Sequence, residues 1–141
     1  MQKHRAIVLY FSIMYWTYRF STISLCTIQK FIGKFDIKGI SHITGGGIID
    51  NLLRIIPDNY SAVLDFKDFK IPERFLWLSN LGKIHKTEML KTFNCGVGFC
   101  LVINSKNLSK VIKFFPKKYK PYIIGKICSG TKQIKLHGKI N

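Results

Sequence analysis

Acidic residues are scarce in this chain, and the scarcity narrows its chemistry. Seven Asp and Glu stand against 23 Lys and Arg in 141 residues, a formal net charge of +16. Asp65, Asp68 and Glu73 are near neighbours, yet no two acids have the spacing of a general acid–base pair or of an acidic metal site. No metal is therefore expected on the chain itself. Cysteine is equally thin. Cys26, Cys95, Cys100 and Cys128 make no C-x₂-C pair and have no histidine at ligand spacing, which argues against a zinc site. Cys95 and Cys100 are an odd number of residues apart and face opposite sides of any one strand, so a local disulfide is not expected. Free thiols fit a reducing, cytoplasmic setting.

Other signatures are missing too. Neither G-x-x-x-x-G-K-[ST] nor G-x-G-x-x-G occurs, so the two standard nucleotide-binding turns are absent. There is no G-x-S-x-G and no Ser-His-Asp arrangement. Apolar runs are short. Lys3, His4 and Arg5 precede the stretch Ala6–Trp16, which imitates the first two regions of a signal peptide. That stretch falls well below the ~20 residues a membrane helix needs, and no small-x-small cleavage site follows. Residues 1–20 are expected to be an extension, non-native or badly ordered, and no membrane association is expected.

The positive charge by itself points toward nucleic acid. Its distribution argues otherwise. Lysine greatly outnumbers arginine, alongside much Ile, Phe and Asn, as A/T-rich coding would produce. On the helix expected at 105–115, Lys106, Lys110 and Lys113 share one face and Leu108, Val111, Ile112 and Phe115 the other, a solvated face opposite a core face. Only Lys117, Lys118 and Lys120 cluster densely. A basic nucleic-acid-binding module is the alternative reading, and its affinity would fall steeply with salt.

What is present is an alternation of short apolar strands with helical patterns. Thr22–Lys34 reads as a helix and Ile37–Ile43 as a strand, followed by a helix over 46–56 and a strand at Ala62–Asp65. Pro72 sits at the first turn of a helix ending near Gly82, and Thr87 caps a short helix through Phe93. Strand Gly98–Ile103, a helix capped by Ser105 and closed by Pro116, and strands Tyr122–Ile127 and Gln133–Leu136 complete the chain. The expected fold class is α+β, a mixed β-sheet covered by helices, in one domain over residues 21–141.

The most informative stretch joins the strand Ile37–Ile43 to the helix over 46–56. Three consecutive glycines, Gly45, Gly46 and Gly47, end a strand and open a helix. Glycine permits positive φ and close approach of a ligand, and the first amides of a helix have no internal partner. The turn therefore suits a phosphate. His42 and Thr44 flank it with an imidazole and a hydroxyl, and Asn51 follows in the helix. A structural histidine at a strand end, and a plain strand-to-helix turn, are the competing interpretations. Asn94-Cys95-Gly96-Val97-Gly98 is a second element of this kind; two glycines bracket a valine at the mouth of a strand.

His42-Ile43-Thr44-Gly45-Gly46-Gly47, Asn51 and Arg54-Ile55-Ile56-Pro57 resemble the C-terminal domain of phosphoribosylformylglycinamidine cyclo-ligases, the aminoimidazole ribonucleotide synthetases of purine synthesis. The resemblance runs in order through Ala62-Val63-Leu64-Asp65, Ile71-Pro72, Phe75-Leu76-Trp77-Leu78, Glu88-Met89, Thr92-Phe93-Asn94-Cys95-Gly96-Val97-Gly98 and Ile124-Gly125-Lys126-Ile127. It spans residues 27–137 or so, with the family's Pro-Thr turn replaced near Phe20-Ser21. It implies ATP-dependent closure of formylglycinamidine ribonucleotide to aminoimidazole ribonucleotide, with ATP and Mg²⁺ held mainly by an N-terminal half that nothing here matches. It implies His42 as the catalytic candidate, and Thr44, Gly45, Gly46, Gly47, Asn51 and Asn94 as substrate- or phosphate-binding residues. It further implies that full-length relatives are homodimers, with a separate N-terminal half as a possible partner; without that nucleotide-binding half the chain is expected to be inactive.

Overall fold

The computed structural model describes residues 5–10, 29–66, 69, 71–115 and 120–138. Six strands form one sheet in the order β2-β4-β1-β5-β3-β6. They are β1 (Arg5–Tyr10), β2 (Ile37–His42), β3 (Tyr60–Asp65), β4 (Phe99–Asn104), β5 (Tyr122–Ser129) and β6 (Gln133–His137). The helices are α1 (Gly47–Leu53), α2 (Glu73–Leu81), α3 (Lys86–Thr92) and α4 (Leu108–Phe114), with a 3₁₀ turn at Ser105–Asn107 leading into α4. Among the described strands only β3 and β6 run parallel; the other neighbours are antiparallel. This is the mixed, helix-covered α+β sheet that the alternating pattern predicts.

Each face of the sheet has its own core, and β4 is buried on both. Its residues alternate: Cys100 and Val102 belong to one cluster with Ile43, Ile48, Leu52, Leu64, Met89 and Leu90. Phe99, Leu101 and Ile103 belong to the other with Phe31, Val111 and Phe115. The first cluster is covered by α1 and α3, the second by α4 and the helical residues 29–32. A strand buried on both faces must be apolar throughout, and Phe-Cys-Leu-Val-Ile is. The lysine face expected for the helix at 105–115 is found on α4: Lys110 and Lys113 are exposed while Val111 is fully buried.

Three expectations shift. The short helix after His85 is capped by that histidine, whose Nδ1 accepts from the Thr87 amide at 3.3 Å, and not by Thr87. Asn104, not Ser105, caps the 3₁₀ turn by accepting from the Lys106 amide at 3.1 Å. Both are Asx-type or analogous local bonds that compete with a hydroxyl cap one or two residues on. Third, Arg5–Tyr10 is a strand in the middle of the sheet, where an extension was expected. The rest of the expected extension, and most of the expected helix Thr22–Lys34, lie outside the described residues.

Candidate functional site

The glycine turn is built around Asn51. Gly46 caps α1 at φ 91° and Gly47 follows at φ 60°, both in the left-handed region that glycine tolerates. The Asn51 side chain reaches back under the turn: its Nδ2 donates to the carbonyls of Gly47 at 2.7 Å and Gly45 at 3.0 Å. A longer 3.4 Å contact runs to the Thr44 carbonyl, and the Thr44 hydroxyl donates to Asn51 Oδ1 at the same distance. The main chain of Asn51 is held as well, since the buried Ser41 hydroxyl donates to its carbonyl at 2.7 Å. Asn51 is buried and its amide is committed to the loop, so it shapes the site from beneath.

This arrangement fixes where the amides point. A trans peptide places its N–H opposite its C=O, and no peptide here is cis. With the carbonyls of Thr44 and Gly45 turned in toward Asn51, the amides of Gly45 and Gly46 turn outward, while that of Ile48, a residue with no exposed surface, stays inside. Neither outward amide has a partner among the described residues, whereas the Gly47 amide closes the turn onto the Thr44 carbonyl at 3.1 Å. Successive outward amides in such a turn make an anion-accepting concavity. The three glycines have different reasons to be glycine. A Cβ on Gly45 would meet nothing within 4 Å, one on Gly46 would stand 3.1 Å from the Asp50 Cβ, and one on Gly47 would fall 2.0 Å from the Leu90 carbonyl oxygen. Gly47 thus lets α1 seat against the backbone of α3; Gly45 is the open one.

The second element lies beside the first. The Ile43 amide donates to the Gly98 carbonyl at 2.8 Å, tying the end of β2 to the loop before β4. Asn94 organises that loop: its Oδ1 accepts from the Gly96 amide at 3.1 Å, and its carbonyl from the Val97 amide at 2.8 Å. Cys95 between them takes φ 47°, uncommon for a residue with a side chain, and its buried Sγ donates to the Met89 carbonyl at 3.5 Å.

His42 is not brought to the turn. Ser41 and Ile43 face α1, so His42, between them, projects to the opposite side of the sheet. There its exposed ring stacks on Phe99 with centroids 4.7 Å apart and 20° between planes. The residue the sequence reading missed is Ser41. Period-2 alternation from Ile43 was the available signal, since it places Ser41 on the helix side.

Burial pushes the thiols of Cys95 and Cys100 up from 9.0 to about 12. The thiolate is the reactive form, so both should resist iodoacetamide at pH 8 in the folded chain and react once it is unfolded, as peptide mapping would show. The unfolded state loses these protons near 9.0 and the folded state only near 12. Their neutral burial therefore contributes fully below pH 9.0 and is lost as pH climbs toward 12. Denaturation midpoints should fall across that window, less steeply in Cys100→Ala.

Among the described residues no group of three or more His, Cys, Asp or Glu could hold a metal ion, and no helix is long and apolar enough to cross a membrane. What the fold and site define is an α+β domain that offers outward amides at one end of a mixed sheet, where a Gly-Gly-Gly turn and an Asn-x-Gly loop meet. Residues 21–137 match the family described as AIR synthase related protein, C-terminal domain, and the chain belongs to that family. It is 44% identical over 98 residues to a phosphoribosylformylglycinamidine cyclo-ligase of Thermodesulfovibrio yellowstonii, a match covering 69% of this chain and 29% of that protein. A chloroplastic/mitochondrial cyclo-ligase of Vigna unguiculata is 39% identical over 104 residues, 74% of this chain and 27% of that protein. The trifunctional purine biosynthetic protein adenosine-3 of Gallus gallus shares 39% over 104 residues, 72% of this chain and 10% of its own length. The chain spans less than a third of each of these relatives.

Proposed function

We propose that this chain is the C-terminal part of an ATP-dependent cyclo-ligase that converts formylglycinamidine ribonucleotide to aminoimidazole ribonucleotide in purine synthesis. The supporting observation is the Asn51-held turn, whose Gly45 and Gly46 amides face outward without a partner among the described residues. They would accept the substrate's phosphate, with the Thr44 hydroxyl at their edge. Bound ATP would supply the phosphoryl group that turns the formyl oxygen into a phosphate ester, releasing ADP, so that the oxygen can leave as phosphate when the ring closes. The chain's own share is to bind, orient and hold the substrate in reach of that chemistry, which accounts for much of such a rate enhancement.

ATP and Mg²⁺ would sit chiefly on the part of the relatives that these residues do not match, since the described residues include no cluster suited to a metal. The natural partner is then a chain or segment carrying that half, in a cytoplasmic, homodimeric assembly. Gly47 and Asn51 would act by shaping the turn, Asn94 by shaping the neighbouring loop. His42, exposed at the end of β2, would meet substrate or partner from its own side of the sheet.

The test is reconstitution. The 141-residue chain alone should give no ATP-dependent ring closure, and addition of a separately made N-terminal half should restore measurable turnover. Turnover by the chain alone would overturn the reading. In the reconstituted enzyme, Gly45→Val should raise the substrate KM by about tenfold or more, the loss of one charge-assisted phosphate contact, while stability changes by about 0.5 kcal/mol at most. His42→Ala should lower kcat by about a hundredfold if the imidazole moves a proton, with an unchanged urea midpoint. An unaltered kcat would remove His42 from the reaction.

A further inference from the structure

The family match begins at residue 21, yet the strand at the centre of the sheet is Arg5–Tyr10. β1 pairs antiparallel with β4 along its whole length, from Arg5 opposite Asn104 to Tyr10 opposite Phe99. Its other edge pairs antiparallel with β5, from Arg5 opposite Ile127 to Leu9 opposite Tyr122, with a register shift between Ile7 and Val8. β4 and β5 never pair with each other. Remove β1 and the sheet separates into β2-β4 and β5-β3-β6, with two facing rows of unpaired backbone groups.

We propose that the gap between β4 and β5 is a strand-accepting groove, and that the N-terminal segment outside the family match is the ligand that fills it. Both walls run the same way, because each is antiparallel to β1, so one strand of the opposite direction makes antiparallel ladders with both. Neighbouring strands are ~4.8 Å apart, which makes the groove one strand wide. Leaving it empty is costly: β4 is buried from Phe99 to Ile103, and its edge amides and carbonyls would have no partner. The segment's composition fits. Ala6-Ile7-Val8-Leu9-Tyr10 is a continuous apolar run, the pattern of a strand covered on both faces, as its neighbour β4 is. Recognition here is β-strand addition, in which main-chain bonds supply affinity and alternate side chains supply selectivity. Ala6–Tyr10, the start of the stretch that imitates a signal peptide, is in this account part of a structural strand.

Hydrogen exchange on the full chain tests this directly. Amides of residues 6–9 should exchange on the order of a thousandfold more slowly than in a free peptide, as slowly as those of β4. Peptide-like exchange there, with β4 and β5 still protected, would overturn the proposal. Val8→Pro should lower Tm by about 10 °C or more, since it removes a central ladder donor. A second experiment survives a misfolding variant. A protease site is placed between Phe20 and Ser21 of the full chain and cut after folding. The proposal expects residues 1–20 to stay bound through size exclusion, or their release to unfold the remainder. A released segment that leaves the remainder folded, with unchanged circular dichroism and Tm, would refute it.

Discussion

Replacing Gly47 with alanine is expected to destabilise the domain by about 4 kcal/mol, a large part of the ~5–15 kcal/mol that holds a domain of this size together. Two costs combine. The backbone at Gly47 has φ 60°, which an L-residue adopts at a cost of about 1–2 kcal/mol. The new methyl would also fall 2.0 Å from the Leu90 carbonyl oxygen and 2.8 Å from the Lys91 carbonyl carbon. Those are main-chain atoms of α3, so relief requires α1 and α3 to move apart and open the core between Ile48, Leu52, Met89 and Leu90. Urea denaturation gives the number, and Gly45→Ala is the internal control. An alanine Cβ at Gly45 meets nothing within 4 Å, so that variant should match the parent to about 0.5 kcal/mol. Similar midpoints for the two variants would mean that α1 does not seat on α3 as described.

Asn51→Asp is the second large effect, and it carries a pH signature. The substitution keeps the shape and replaces an NH₂ donor by a carboxylate oxygen. That oxygen would face the carbonyls that Nδ2 now reaches at 2.7 and 3.0 Å. An anion buried against carbonyl dipoles, with its donors gone, is expected to cost about 3 kcal/mol at neutral pH. The protonated acid can still donate one bond, so the folded state would raise this carboxyl above the ordinary carboxylate range. The variant should therefore be least stable at neutral pH and recover part of the deficit as pH falls through that raised value. Asn51→Ala, which loses the same bonds without adding charge, should show no such recovery. Parallel pH profiles for Asp and Ala would show that the loop carbonyls do not surround the side chain.

Much of the fold is local enough to be legible in the chain. Pro72, the strand ends and the Lys110/Val111/Lys113 face all follow from propensity and period, which act over a few residues. The capping errors at His85 and Asn104 are of the same local kind: a neighbouring imidazole or amide competes for the same backbone amide, and sequence spacing does not rank the competitors.

The residue order by itself determined the element types, the α+β class and the family, because these rest on local periodicity and on collinear motifs such as Thr44–Gly47 and Asn94–Gly98. Tertiary structure decided which residues meet. Asn51 looked like a ligand-orienting amide, and only the loop folded over it reveals that its donors are spent on Gly45 and Gly47. Gly47 looked like a place for a phosphate, and only the backbone of α3 beside it supplies the reason for its missing Cβ. His42 stands next to the turn in sequence and on the other side of the sheet in space, since neighbouring residues of a strand point to opposite faces. The apolar run in Arg5–Tyr10 fits a buried strand but does not name its neighbours, because strand pairing across about a hundred residues depends on which edges are left unpaired once the rest has folded, a property that no local window contains.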